Sequence, residues 1–172
     1  MTKKPFHFLI LILTLAFAAC NKATPAGFWK NYKKDLVVKN ISDQGLYGGH
    51  RVVCWKSDRA NTFNFKEVHD FANNNGWTLV DSADFNQEQT SKWVYDNNPI
   101  FPLSHTGLND PAKNISTYAD FPRWFGGHVK VYRFKTGWIT IEPGTDNSLE
   151  ENGFVVINSD RTEMAVYHLW GE

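Results

Sequence analysis

The chain is 172 residues long, with 18 Lys and Arg against 18 Asp and Glu and a formal charge of zero. That balance excludes a nucleic-acid binder working by phosphate neutralisation, and 42% apolar with 21% charged residues excludes a disordered or collagen-like chain. Aromatic residues reach 15%, and all seven Trp lie after residue 20, which favours a β-rich fold or an aromatic binding surface.

The first segment reads as an address. Lys3 and Lys4 precede an apolar run over residues 6–19, broken only by His7 and Thr14. Fourteen residues are too few to cross a hydrocarbon core about 30 Å thick, which needs roughly 20 in a helix. A secretory signal segment fits better. It ends Leu15-Ala16-Phe17-Ala18-Ala19-Cys20, which resembles the lipobox of bacterial lipoproteins, with Phe17 where that pattern usually has Leu. The resemblance implies a signal peptide over residues 1–19 and a Cys20 carrying lipid chains, with an ordinary secreted protein cleaved at Ala18 or Ala19 as the alternative. Several acyl chains, at about 0.8 kcal/mol per buried methylene, hold a protein on a bilayer. Asn21, rather than Asp, after the cysteine implies the outer membrane over the inner under the Gram-negative sorting rule. Setting aside the first 20 residues leaves 152, enough for one domain with a core of its own.

Residues 20–34 carry Pro25, Gly27 and four lysines without apolar periodicity, and are expected to be a solvated tether. A single α+β domain is expected over residues 35–172. Residues 36–40 and 50–56 alternate as strands, the second containing Cys54, which is expected to be a buried, inert thiol and, with Cys20 acylated, has no disulfide partner. Phe65, Val68, Phe71 and Ala72 follow at one-face helical spacing after the caps of Asn61-Thr62-Phe63-Asn64, and Asn73-Asn74-Asn75-Gly76 is the stop. Residues 77–80 read as the next strand, giving a β-α-β unit over residues 50–80. A second helix is expected over residues 85–95, with Asp84 as cap and Trp93 and Val94 inward.

Residues 96–127 hold Pro99, Pro102, Pro111 and Pro122 together with Phe101, Tyr118, Phe121, Trp124 and Phe125. The prolines argue against long regular elements and the aromatics against disorder, so an ordered loop lying over the sheet is expected. The last 45 residues read as an antiparallel β-meander with strands over residues 128–135, 138–142, 154–158 and 163–170. Apolar residues at both parities, Val129 and Val131 against Tyr132 and Phe134, imply that both sheet faces are at least partly covered. The expected fold is therefore a single sheet with helices on one face and the aromatic loop over part of the other.

Chemical motifs are sparse. Among His50, His69, His105, His128 and His168 there is no His-x-x-x-His pair, no Gly-x-Ser-x-Gly elbow surrounds a serine, and no glycine-rich phosphate loop leads from a strand into a helix. Residues 142–152 are rich in oxygen ligands but lack the Asp-x-Asp-x-Asp-Gly order of a calcium loop. No catalytic residue, metal ligand or cofactor is assigned. The least bland stretch is 118–127, where Tyr118, Phe121, Arg123, Trp124 and Phe125 suit either a protein- or sugar-binding surface or a lid plugging the core. The chain is similar to small envelope lipoproteins, a resemblance that implies no activity. The expected function is a non-enzymatic, membrane-anchored protein that binds a protein or a glycan through its loop face, an immunity-type inhibitor being one member of that class. A small envelope hydrolase using His50, His128 and His168, or a purely structural lipoprotein, are the alternatives.

Overall fold

A computed structural model describes residues 25–58, 60–104, 107–108, 119–124 and 126–171. Strands dominate. In chain order they are β1 (Val37–Gln44), β2 (Gly48–Lys56), β3 (Thr78–Phe85), β4 (Val94–Tyr95), β5 (Asn98–Ser104), β6 (Gly107–Leu108), β7 (Ala119–Pro122), β8 (Val129–Lys135), β9 (Thr140–Ile141), β10 (Ser148–Leu149), β11 (Gly153–Asn158) and β12 (Glu163–Gly171). Helix α1 spans Phe65–Asn74 and α2 spans Gln87–Ser91, with 3-10 turns at Gly27–Asn31 and Lys34–Leu36.

The main sheet runs β1-β2-β12-β11-β8-β3, every adjacent pair antiparallel, with β9 and β10 appended beside the end of β12. Four antiparallel steps separate β2 from β3, so the two run parallel and α1 is the crossover of a β-α-β unit. Three strands of the meander lie between them. The helix starts where expected: the Asn64 side chain accepts the Lys66 N–H at 2.8 Å. It stops at Gly76, whose φ of +87° is a left-handed conformation that a side chain would resist. Both edge strands, β1 and β3, carry a bulge, which twists an otherwise open ladder away from pairing with another chain.

Side-chain alternation splits the core in two. On one face Val53, Trp55, Tyr132, Phe134, Val155, Ile157, Met164 and Val166 pack under α1 and the first 3-10 turn. On the other, Val52, Cys54, Val129, Val131, Phe154, Val156, Ala165 and Tyr167 pack under Trp93, Phe101, Leu103 and Phe121. Both faces are covered, as the double parity implies.

Several expectations are corrected. Residues 25–34 are no solvated tether, because Phe28, Trp29 and Tyr32 are buried. Trp29 sits 5.4–6.2 Å, centroid to centroid, from Tyr32, Trp55, Phe71 and Trp77, and the Trp55 indole N–H donates to the Tyr32 carbonyl at 2.7 Å. The lysines around these aromatics hide their apolar spacing. The expected single sheet is joined by a second, four-stranded one, β4-β5-β6 with β7 on β5; β5, β6 and β7 fall in the stretch read as loop, and β4 at the end of the expected second helix. Its prolines fall where the ladder is short or one-sided, so their missing N–H costs little. The second helix is only five residues long: Asn86, not Asp84, caps it in a reciprocal box with Gln89, and Phe85 ends β3 in the core. In the meander, the strand expected over residues 138–142 shrinks to Thr140–Ile141, leaving Trp138 and Ile139 exposed.

Candidate functional site

β7 brings the aromatic stretch against the second core face. Its residues 119–122 pair with β5, and the Arg123 N–H continues the ladder by donating to the Pro99 carbonyl at 2.9 Å. The Tyr167 hydroxyl, on β12, donates to the Pro122 carbonyl at 3.1 Å and fixes the strand to the main sheet. Burial pushes that phenol well above its ordinary pKa, so it stays a donor.

The expected binding residues then part company. Phe121 is fully buried, edge-on to Tyr167 at 5.7 Å and to the His50 ring at 5.2 Å. It is a core plug and is corrected out of the surface set; alternation along a short strand turns its ring inward. Arg123 and Trp124, just past the strand, are half-buried. Trp124 packs on the rim of the core with the Lys56 ammonium 6.0 Å from its ring, and Lys56 is paired with Glu163 at 3.1 Å. Cys20, Tyr118 and Phe125 lie outside the described residues.

The polar atoms here are unusual. Arg123 Nε, Arg123 Nη1 and Trp124 Nε1 are buried, and none has a hydrogen-bond partner among the described residues. A buried donor left unpaired costs about 1–3 kcal/mol, more if charged. All three orphans are donors, so the group they would satisfy is rich in acceptors. Burial lowers the Arg123 pKa, but a guanidinium starts so far above neutrality that it remains charged. Lys39 lies directly across the ladder from Cys54, on the same face of the sheet.

The three strand histidines do not converge. His50 lies on the β7 side of the sheet, whereas His168 lies on the α1 side, 5.4 Å from the Trp77 ring. His128 stands beside β8 at the Asn158 end of β11, while His168 pairs with Gly153 at its other end. No group of three His, Cys, Asp or Glu side chains that could hold a metal ion occurs among the described residues.

The structure adds a cleft that sequence reasoning did not find, with a volume of about 380 Å³, between the start of α1, β8 and the β11–β12 turn. A stacked Phe65–Tyr132 pair at 3.8 Å forms one wall, and His128, Lys130 and Arg161 line it, Lys130 being paired with Asp84 at 3.3 Å. Its residues come from four separate segments, so no local motif announces it. Arg161 has φ of +59°, a position where Gly or Asn would sit without strain. Comparison with protein-family models, with curated proteins and with solved structures finds no match to the chain.

Proposed function

We propose that the chain is a lipid-anchored envelope protein that binds an acidic protein or glycan through the face around Arg123 and Trp124, with Tyr118 and Phe125 as neighbours in sequence. The observation that carries this reading is the set of three buried, unpartnered donors on two consecutive residues. A carboxylate-bearing ligand supplies the acceptors that they lack, and a guanidinium can take such a group in a two-pronged hydrogen bond. The indole face of Trp124 adds the apolar surface that sugar rings and aromatic side chains prefer. The Cys20 segment supplies the anchor, and the outer membrane is the proposed address.

Two experiments separate the parts. Cys20→Ser followed by membrane fractionation tests the anchor: the variant is expected to leave the membrane, and retention with unchanged processing removes the lipid assignment. For the ligand, the protein is titrated with a uronic-acid oligosaccharide, its neutral counterpart and an acidic peptide. Arg123→Met is expected to weaken binding of an acidic probe at least tenfold, and Trp124→Phe, which deletes only the N–H donor and some ring area, less. Equal response to acidic and neutral probes, or no loss in Arg123→Met, overturns the reading.

A further inference from the structure

On the opposite face of the main sheet, we propose that Arg51 and His168 form a second binding site, for a small oxyanion that still carries a proton, such as a hydrogen phosphate group. Arg51 projects from β2 on the same side as Val53 and Trp55, at the β1 edge of the sheet. It is 6% exposed. Its Nη2 donates to Ser42 Oγ at 2.9 Å, and Nη1 reaches Asn40 Oδ1 at 3.5 Å. Both partners are neutral, and no carboxylate pairs with the guanidinium among the described residues. The Nε–H, also buried, has no partner among the described residues. A buried charge without a counterion is strongly unfavourable, and water can satisfy its hydrogen bonds but not its charge.

The residue directly across the ladder is His168, itself fully buried. Its Nε2 lies 3.2 Å from Thr136 Oγ1, which is 2.6 Å from Asn152 Oδ1. The Asn152 amide nitrogen donates to Thr140 Oγ1 and to the Trp138 carbonyl, both at 2.9 Å, so its oxygen is the acceptor here. The Asn152 oxygen and the Trp138 carbonyl, 3.3 Å away, are both acceptors for the single Thr136 proton, so Thr136 accepts from His168 Nε2–H. This places the imidazole proton on Nε2 and leaves Nδ1 a bare acceptor, buried and unpartnered. An orphan cationic donor and an orphan acceptor therefore belong to directly opposed residues.

A ligand that answers both must accept from Arg51 and donate to His168. Hydrogen phosphate does this while keeping a negative charge; a carboxyl group loses its charge when it carries a proton, and sulfate offers acceptors only. The Trp77 and Trp170 rings lie 5.4 and 5.1 Å from the imidazole and make its surroundings on that side apolar. Asn40 and Ser42 belong to the edge strand and are exposed, so the guanidinium lies one side chain below solvent. Burial, with the positive field of Arg51, depresses the His168 pKa to about 3, and an anion between them reverses the second effect.

The test uses the full chain in detergent at pH 6.5, titrated with inorganic phosphate, sulfate and chloride. Phosphate is expected to raise the melting temperature saturably and to move the ¹⁵N resonances of Arg51 Nε and His168 Nδ1 together. Sulfate is expected to be at least tenfold weaker, chloride without effect, and the response lost in Arg51→Met. The resonance shifts in the unmodified protein keep the proposal testable should that variant not fold. No saturable response, an equal response to sulfate, or an undiminished one in Arg51→Met overturns it.

Discussion

The Cys54 thiol lies under the second sheet, fully buried, and desolvation pushes its pKa up to about 12. Reactivity needs a thiolate, so at neutral pH the native protein is expected to resist thiol reagents at Cys54 until denaturant is added. Rapid labelling of the folded Cys20→Ser variant would contradict this. His168 behaves the other way. Its folded pKa, near 3, lies below the ordinary 6.5, so the unfolded chain binds a proton in a range where the native chain does not. Its contribution is complete above pH 6.5 and falls as the pH drops towards 3, by up to about 1.4 kcal/mol per unit. Urea unfolding at pH 7.5, 6 and 5 measures this slope, and His168→Gln is expected to flatten it; identical slopes would mean that other groups carry the acid sensitivity. At this scale the sequence was partly legible. The strand alternation of residues 50–56 already placed Cys54 inside. The same alternation puts Arg51 at the parity of Val53 and Trp55, a charged residue on an apolar face, and that signal was there to be read.

Elements were legible where one local pattern decided them. Helix α1 has its cap, its apolar spacing and its glycine stop within 13 residues, Asn64 to Gly76, and all three agree. The second sheet escaped because prolines in β5 and β7 mark a break by local rules, while what holds those strands is long-range: Phe101 stacks on Tyr167 at 4.3 Å and meets Trp93 edge-on at 5.6 Å. Alanine changes separate core from surface along this segment. Phe121→Ala is expected to cost about 3–5 kcal/mol, as for other fully buried aromatics. Arg123→Met is expected to be neutral or slightly stabilising, since it removes two unpaired buried donors along with the charge. Denaturant midpoints measure both. A Phe121→Ala loss below about 1 kcal/mol would mean that β7 is not part of the core.

For the whole molecule, the difference between expectation and structure lies at the beginning of the domain. Composition made residues 20–34 a spacer: Lys22, Lys30, Lys33 and Lys34, a proline and a glycine outweigh three aromatics. Packing reverses that weighting. Phe28, Trp29 and Tyr32 close the α1 side of the sheet, and Lys33, whose ammonium reaches Glu67 of α1 at 3.1 Å, pins the segment from outside. With lipid at Cys20, the stretch from there to Pro25 is five residues, a reach of roughly 18 Å rather than the roughly 50 Å of a free 14-residue tether. The domain would then ride close to the bilayer, which limits which faces a large partner can approach. Limited trypsin digestion of the native protein decides between the two pictures. A solvated tether is cut quickly after Lys30, Lys33 and Lys34, whereas a packed one survives at these sites until the fold opens. A chain beginning at Pro25 is expected to melt cooperatively like the full-length protein. One beginning at Asp35 loses Trp29, whose truncation alone is worth about 3–5 kcal/mol, a large share of the 5–15 kcal/mol that holds an ordinary domain. It is therefore expected to be unfolded or strongly destabilised. Rapid cleavage after Lys30 in the native protein, with an Asp35 start that melts normally, would restore the tether and detach the aromatic cluster from the fold.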